Sequence, residues 1–131
     1  LDDYEEGTFS PTIYGATTTT YTTNDGSYVR IGKMVHVWID MHVNTIGDGN
    51  SGIIENLPFQ GVLPRWSSFI VSKINSCATS FNGIYAQFNN NNSVVFYLDT
   101  VISTTNQNTQ TVLGDGTDIH MSGWYETNDT V

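Results

Sequence analysis

Met34-Val35-His36-Val37-Trp38-Ile39-Asp40-Met41-His42-Val43 decides the fold. Val35, Val37, Ile39, Met41 and Val43 occupy every second position, with Met34, His36, Trp38, Asp40 and His42 between them. Successive side chains of an extended chain point to opposite faces, so this pattern predicts a strand with one core face and one open face. Ile119 to Glu126 repeats it, with Ile119, Met121 and Tyr125 set against His120, Ser122 and Trp124. Ile84–Phe88 and Val94–Leu98 read as a hairpin around Asn89–Asn92. No stretch carries the apolar spacing and caps of a helix.

The remaining segments extend the same reading. Thr8–Tyr14 is a first strand in which Pro11 belongs at an edge or bulge. Asn24-Asp25-Gly26, Gly32-Lys33 and Gly114-Asp115-Gly116 read as turns, and Gly47–Gly52 as a loop. Ser27–Ile31 and Gly52–Asn56 are short strands, Gln60–Ser67 is a loop, and Thr104–Gln110 is a polar surface excursion. Ser68–Ile74 is apolar on both faces, with Phe69 and Val71 on one and Ile70 and Ile74 on the other. That predicts cover from a second sheet and from another subunit. Together these elements predict an all-β, antiparallel β-sandwich of jelly-roll-like form, one domain over residues 1–131.

Composition narrows the function. Thirteen acidic against four basic residues give a net charge of -9, which repels a phosphate backbone and an anionic membrane. Neither nucleic acid nor membrane insertion is expected. The single cysteine, Cys77, excludes an intrachain disulfide, and without a CxxC pair no structural zinc site is expected. Asp2, Asp3, Glu5 and Glu6 read as a solvated lead-in rather than a cation site. No leader peptide is read at the start, and Leu1 in place of Met suggests a piece of a longer chain.

Four motifs in order carry a resemblance. Leu1-Asp2-Asp3-Tyr4-Glu5-Glu6-Gly7-Thr8-Phe9-Ser10-Pro11-Thr12 resembles the DDYEEGT…P opening of the C-terminal head domains of bacteriophage tail fibre and tail spike proteins, especially in marine phages. Tyr28–Val37 looks like that family's Y-x-x-x-G-x-x-V-x-V strand pair. Gly52–Phe59 looks like its I-x-G-L-P-F element, with Asn56 where Gly is usual, a residue that also tolerates positive φ. Ile119–Tyr125 looks like its closing strand. The resemblance implies a homotrimer, with residues 1–7 leading in from a fibre shaft. It implies a virion protein that acts outside the cell, attaching to a host surface polysaccharide or an outer-membrane receptor. The alternative is a structural domain that only trimerises and caps a fibre or spike.

Candidate ligand contacts follow from side-chain chemistry. Arg65 and Trp66, after Leu57-Pro58-Phe59, combine a cation with a ring that stacks on a sugar. Asn90 and Asn91 offer amide donors and acceptors at the hairpin tip. Asp40 and His42 share a strand face at a spacing that suits a metal, but a plain polar face explains them better, and His36 lies too far along to join. Asp48-Gly49-Asn50 and Asp115–Asp118 lack the calcium-loop pattern and read as turns. Cys77 reads as a small core residue. No nucleophile motif or assignable carboxylate pair stands out, so no catalytic residue, metal or cofactor is expected, and a binding domain is expected rather than an enzyme.

Overall fold

A computed structural model describes residues 3–49, 52–62, 67–78, 81–89, 92–100, 103–107 and 112–129. The described elements are β-strands: β1 (Tyr4–Phe9), β2 (Thr12–Ile13), β3 (Thr20–Ile31), β4 (Met34–Thr45), β5 (Ile53–Glu55), β6 (Ser68–Asn75), β7 (Gly83–Phe88), β8 (Val94–Thr100), β9 (Ser103–Gln107) and β10 (Asp118–Glu126). They form one antiparallel sheet in the order β1-β3-β4-β10-β6-β7-β8-β5-β2, with β9 on β8. The sheet curls so that its two halves face each other across a shared core, as the sandwich reading expects. The corner is narrow: β6 and β7 pair only at Ser68–Gln87 and Phe69–Ala86. Among the described residues no helix is long and apolar enough to cross a membrane.

The alternation read in the sequence fills the core. Val35, Val37, Ile39, Met41 and Val43 of β4 are buried, as are Ile119, Met121 and Tyr125 of β10. Phe69, Ala86, Phe88, Val94, Phe96 and Ile54 meet them from the rest of the sheet. Burial of each large side chain contributes roughly 1.5–3 kcal/mol. Tyr125 joins the halves directly. Its ring stacks on Phe88 at 5.1 Å, and its hydroxyl accepts the Phe59 N–H at 3.2 Å. The two sheet edges also approach, because β1 and β2 are consecutive in the chain. The Tyr21 hydroxyl accepts the Ile13 N–H at 2.9 Å, and Asn24 donates to the Pro11 carbonyl at 3.4 Å.

Several expectations are corrected. The first strand is two, split by Ser10 and Pro11. Asn24-Asp25-Gly26 is no turn: these residues lie inside β3, opposite Met41, Asp40 and Ile39. Gly26 serves packing there, since a Cβ on it would meet the Phe9 ring at 2.5 Å. Ile70 and Ile74 of β6 do not share a face. The register of β6 against β10 shifts between Val71 and Lys73, which turns Ile74 inward toward Ile119 and leaves Ile70 71% exposed. Of Thr104–Gln110, read as a polar excursion, residues 104–107 belong to β9, which pairs with β8, and residues 108–110 lie outside the described set. Turns at Gly32 and Gly116 hold, each with positive φ (59° and 78°), and so does the tolerance read at Asn56, whose φ is 73°.

Candidate functional site

The outer face of β1, β3, β4, β10 and β6 carries the chemistry. Strand register sets its side chains in rows. Asp25, Asp40, His120 and Lys73 form one row, and Ser27, Trp38, Ser122 and Ile70 form the next. Val29, His36 and Trp124 follow, then Ile31 and Met34. Aspartates gather at one end of the face, and at the other Tyr4, Ile31 and Met34 stand among Glu6 and Glu126, which register places beside Val29 and Met34. At the aspartate end lies an open groove of about 760 Å³, within the size range of ligand sites. Trp38 rises from it, 47% exposed. Ser27 and Ser122, on either side of Trp38, give it a low floor, and Thr8, Phe9 and Ser10 at the end of β1 line another side.

The polar end is built by cross-strand pairing. His120 Nε2 lies 3.2 Å from Asp40 Oδ1 and 3.6 Å from Asp118 Oδ1. Lys73 Nζ pairs with the other Asp118 oxygen at 2.5 Å. The Lys73 ammonium first, then its charge with those of His120 and His42, holds the Asp118 carboxyl below its ordinary value. Asp40, Asp118 and His120 place one ligand atom each within 4.8 Å of one another, close enough to share a cation. Lys73 already neutralises one carboxylate of that trio, and His120 sits between both. Pairing with Lys73 and His120 accounts for the placement of these carboxylates; the pair weighed in the sequence, Asp40 and His42, is not the one brought together.

Asp25 is different. It faces Asp40 directly across β3 and β4. Like charges directly opposite on adjacent strands destabilise a sheet. Among the described residues no hydrogen bond or ion pair engages the Asp25 carboxylate. Two adjacent carboxylates therefore border the groove, with the His120 imidazole beyond Asp40 and Lys73 tied to Asp118.

At the centre of the face, His36 lies between Trp38 and Trp124, with ring centroids 4.2 and 4.6 Å away. Its Nδ1 is buried without a hydrogen-bond partner, and burial lowers its pKa from the ordinary histidine value. A neutral ring wedged between indoles stiffens the Trp38 side chain. His42 faces Asp118 one row beyond the groove.

Of the residues singled out in the sequence, Arg65, Trp66, Asn90 and Asn91 lie outside the described residues. Trp38 and Trp124 stay exposed on the outer face, as their alternation implies. Asp25 was missed because Asn-Asp-Gly is a strong turn signal, and only the pairing of Gly26 with Phe9 overrides it. Cys77 is half-buried, and burial raises its thiol pKa, the opposite of what a nucleophile needs. Asp48 and Asp115 serve loops: Asp48 accepts from Thr17 and Thr18, and Asp115 accepts the Ile46 N–H at 2.7 Å. A smaller hollow of about 270 Å³ lies on the other half of the sheet, beside Tyr85, Gln87 and Tyr97.

No protein-family model and no curated protein matches the chain. Among solved structures, the fold is similar to the Dettilon tailspike protein (gp208), with a TM-score of 0.74 and 16% identity. The match covers 94% of this chain and 24% of the tailspike chain, so this chain spans about a quarter of that protein's length.

Proposed function

We propose that the chain is an attachment domain of a phage tail fibre or spike, and that it binds a host-surface glycan in the groove beside Trp38. The groove carries the reading. An exposed indole held by His36, above a floor of small serines and next to carboxylates, suits a sugar ring: the apolar sugar face stacks on the indole and its hydroxyls reach the carboxylates. The tailspike likeness over nearly the whole chain supports a place on a phage tail. Arg65, Trp66, Asn90 and Asn91 remain part of the proposal as loop contacts, on their sequence chemistry. Three copies assemble in this reading, through the end of the same face that carries Tyr4, Ile31 and Met34. Residues 1–7 lead in from a shaft, with Tyr4 onward already paired to β3.

The test is adhesion. The fluorescently labelled chain is expected to coat susceptible cells and to block infection by the parent phage, and Trp38→Ala is expected to lose both while keeping a native circular dichroism spectrum. A chain that binds no permissive strain overturns attachment and leaves the structural cap.

A further inference from the structure

The charge around the groove selects its ligand. Asp25 and Asp40 face each other across β3 and β4 at its acidic end. Lys73, the cation of that row, gives its ammonium to Asp118. Lys33 lies in the turn after Gly32, at the opposite end of the β3–β4 pair. Arg30 is buried on the inner side, bonded to the Gly32 and Asp129 carbonyls. Among the described residues no lysine or arginine lines the groove.

Three physical consequences follow. A carboxylated or phosphorylated sugar entering here meets two carboxylates and the field of a chain with net charge -9. Ionised carboxylates accept hydrogen bonds only, so their natural partners are hydroxyl donors. A like-charge pair is also costly to keep in a sheet where no other contact uses Asp25, as expected of a site that gives up stability for function.

We infer that the groove binds an uncharged, hydroxyl-rich saccharide and rejects acidic ones, with Asp25 and Asp40 accepting sugar hydroxyls while Trp38 supports the ring. This inference rests on the attachment reading and names the ligand class of that same site. It also assigns Asp25 a role that opposes its effect on the sheet.

Two measurements test it together. On an array carrying neutral oligosaccharides beside uronic-acid, sialylated and phosphorylated ones, the chain is expected to bind neutral members only. Asp25→Asn is expected to raise the melting temperature by removing the like-charge pair, and to weaken neutral-sugar binding roughly tenfold, the scale of one charge-assisted hydrogen bond. Asp40→Asn is expected to weaken binding similarly, without the gain in stability, since it also removes a His120 partner.

Binding confined to acidic glycans overturns the inference while leaving attachment intact. Acidic binding that disappears in Arg65→Ala moves recognition to the 60–67 loop and overturns it equally. A more stable Asp25→Asn chain with undiminished sugar binding reduces Asp25 to a structural flaw and also overturns it. A chain that binds neither glycans nor cells defeats the attachment reading itself.

Discussion

Asp48 receives hydrogen bonds from the amides and hydroxyls of both Thr17 and Thr18, and its own amide donates back to the Thr18 hydroxyl. This latch ties the segment entering β3 to the loop leaving β4. The donors hold the Asp48 carboxyl well below the ordinary carboxylate range, with the Thr17 hydroxyl contributing most. A depressed folded value means the bonds act in full above about pH 4 and are lost as the pH falls through that folded value. Asp48→Asn is therefore expected to melt lower than the parent at neutral pH, with the difference closing on strong acidification. Thermal melts from pH 7 to pH 2 read this directly. Gly47, beside it, has a φ of 55°, and a Cβ there would meet the Thr18 hydroxyl and backbone. Gly47→Ala is expected to cost about 1–3 kcal/mol in urea unfolding. Tyr125 separates two contributions that a single deletion would merge. Tyr125→Phe keeps the stack on Phe88 and removes the acceptor of the Phe59 N–H, for about 1 kcal/mol. Tyr125→Ala also empties the core, for about 3–5 kcal/mol.

At the scale of elements, stability is concentrated where pairing is long. β4 pairs with β3 and β10 along most of its length, whereas the β6–β7 corner has two residue pairs and β2–β5 has two. Amide exchange is expected to be slowest at Val35–Val43 and Ile119–Tyr125 and to open first at Thr12–Ile13 and Ile53–Glu55. Comparable protection at β2 and β4 would show that the two halves open as one unit instead. This uneven pairing also explains what was legible in the sequence. β4 and β10 each bury one clean face, so period-two alternation marks both. β6 lost its alternation to the register shift after Val71, a tertiary event without a local signature. β9 is composed of Ser, Thr, Asn and Gln, which alternate no apolar residues, and it becomes a strand by pairing with β8. The site divides the same way. Trp38 was legible as a large ring on an open strand face. Asp25 was hidden because its neighbours Asn24 and Gly26 suit turns, and Gly26 stands in a strand to admit the Phe9 ring.

Across the whole molecule, large apolar side chains are exposed on one face more than elsewhere. Tyr4, Ile31, Met34, Trp38, Ile70 and Trp124 are all 43% exposed or more, and all project from β1, β3, β4, β10 or β6. In the proposed assembly these side chains supply the contact between copies. The groove occupies the aspartate end, which leaves Tyr4, Ile31 and Met34, with Glu6 and Glu126 beside them, at the other end for the proposed trimer. Light scattering is expected to give three times the 14.5 kDa of one chain, and a monomer overturns the assembly. The double variant Ile31→Glu, Met34→Glu places two carboxylates in that contact, far from the groove, and is expected to run as a folded monomer. Its affinity for a single soluble oligosaccharide is expected to match the parent, because Trp38, Asp25 and Asp40 are untouched. Its adhesion to cells is expected to fall far more steeply. Three grooves on one body rebind a dense surface polysaccharide at high effective concentration, an advantage on the order of 10²–10⁴ that one groove lacks. Equal loss in both measurements would mean that assembly builds the groove rather than multiplying it. Loss in neither would mean that attachment needs no assembly.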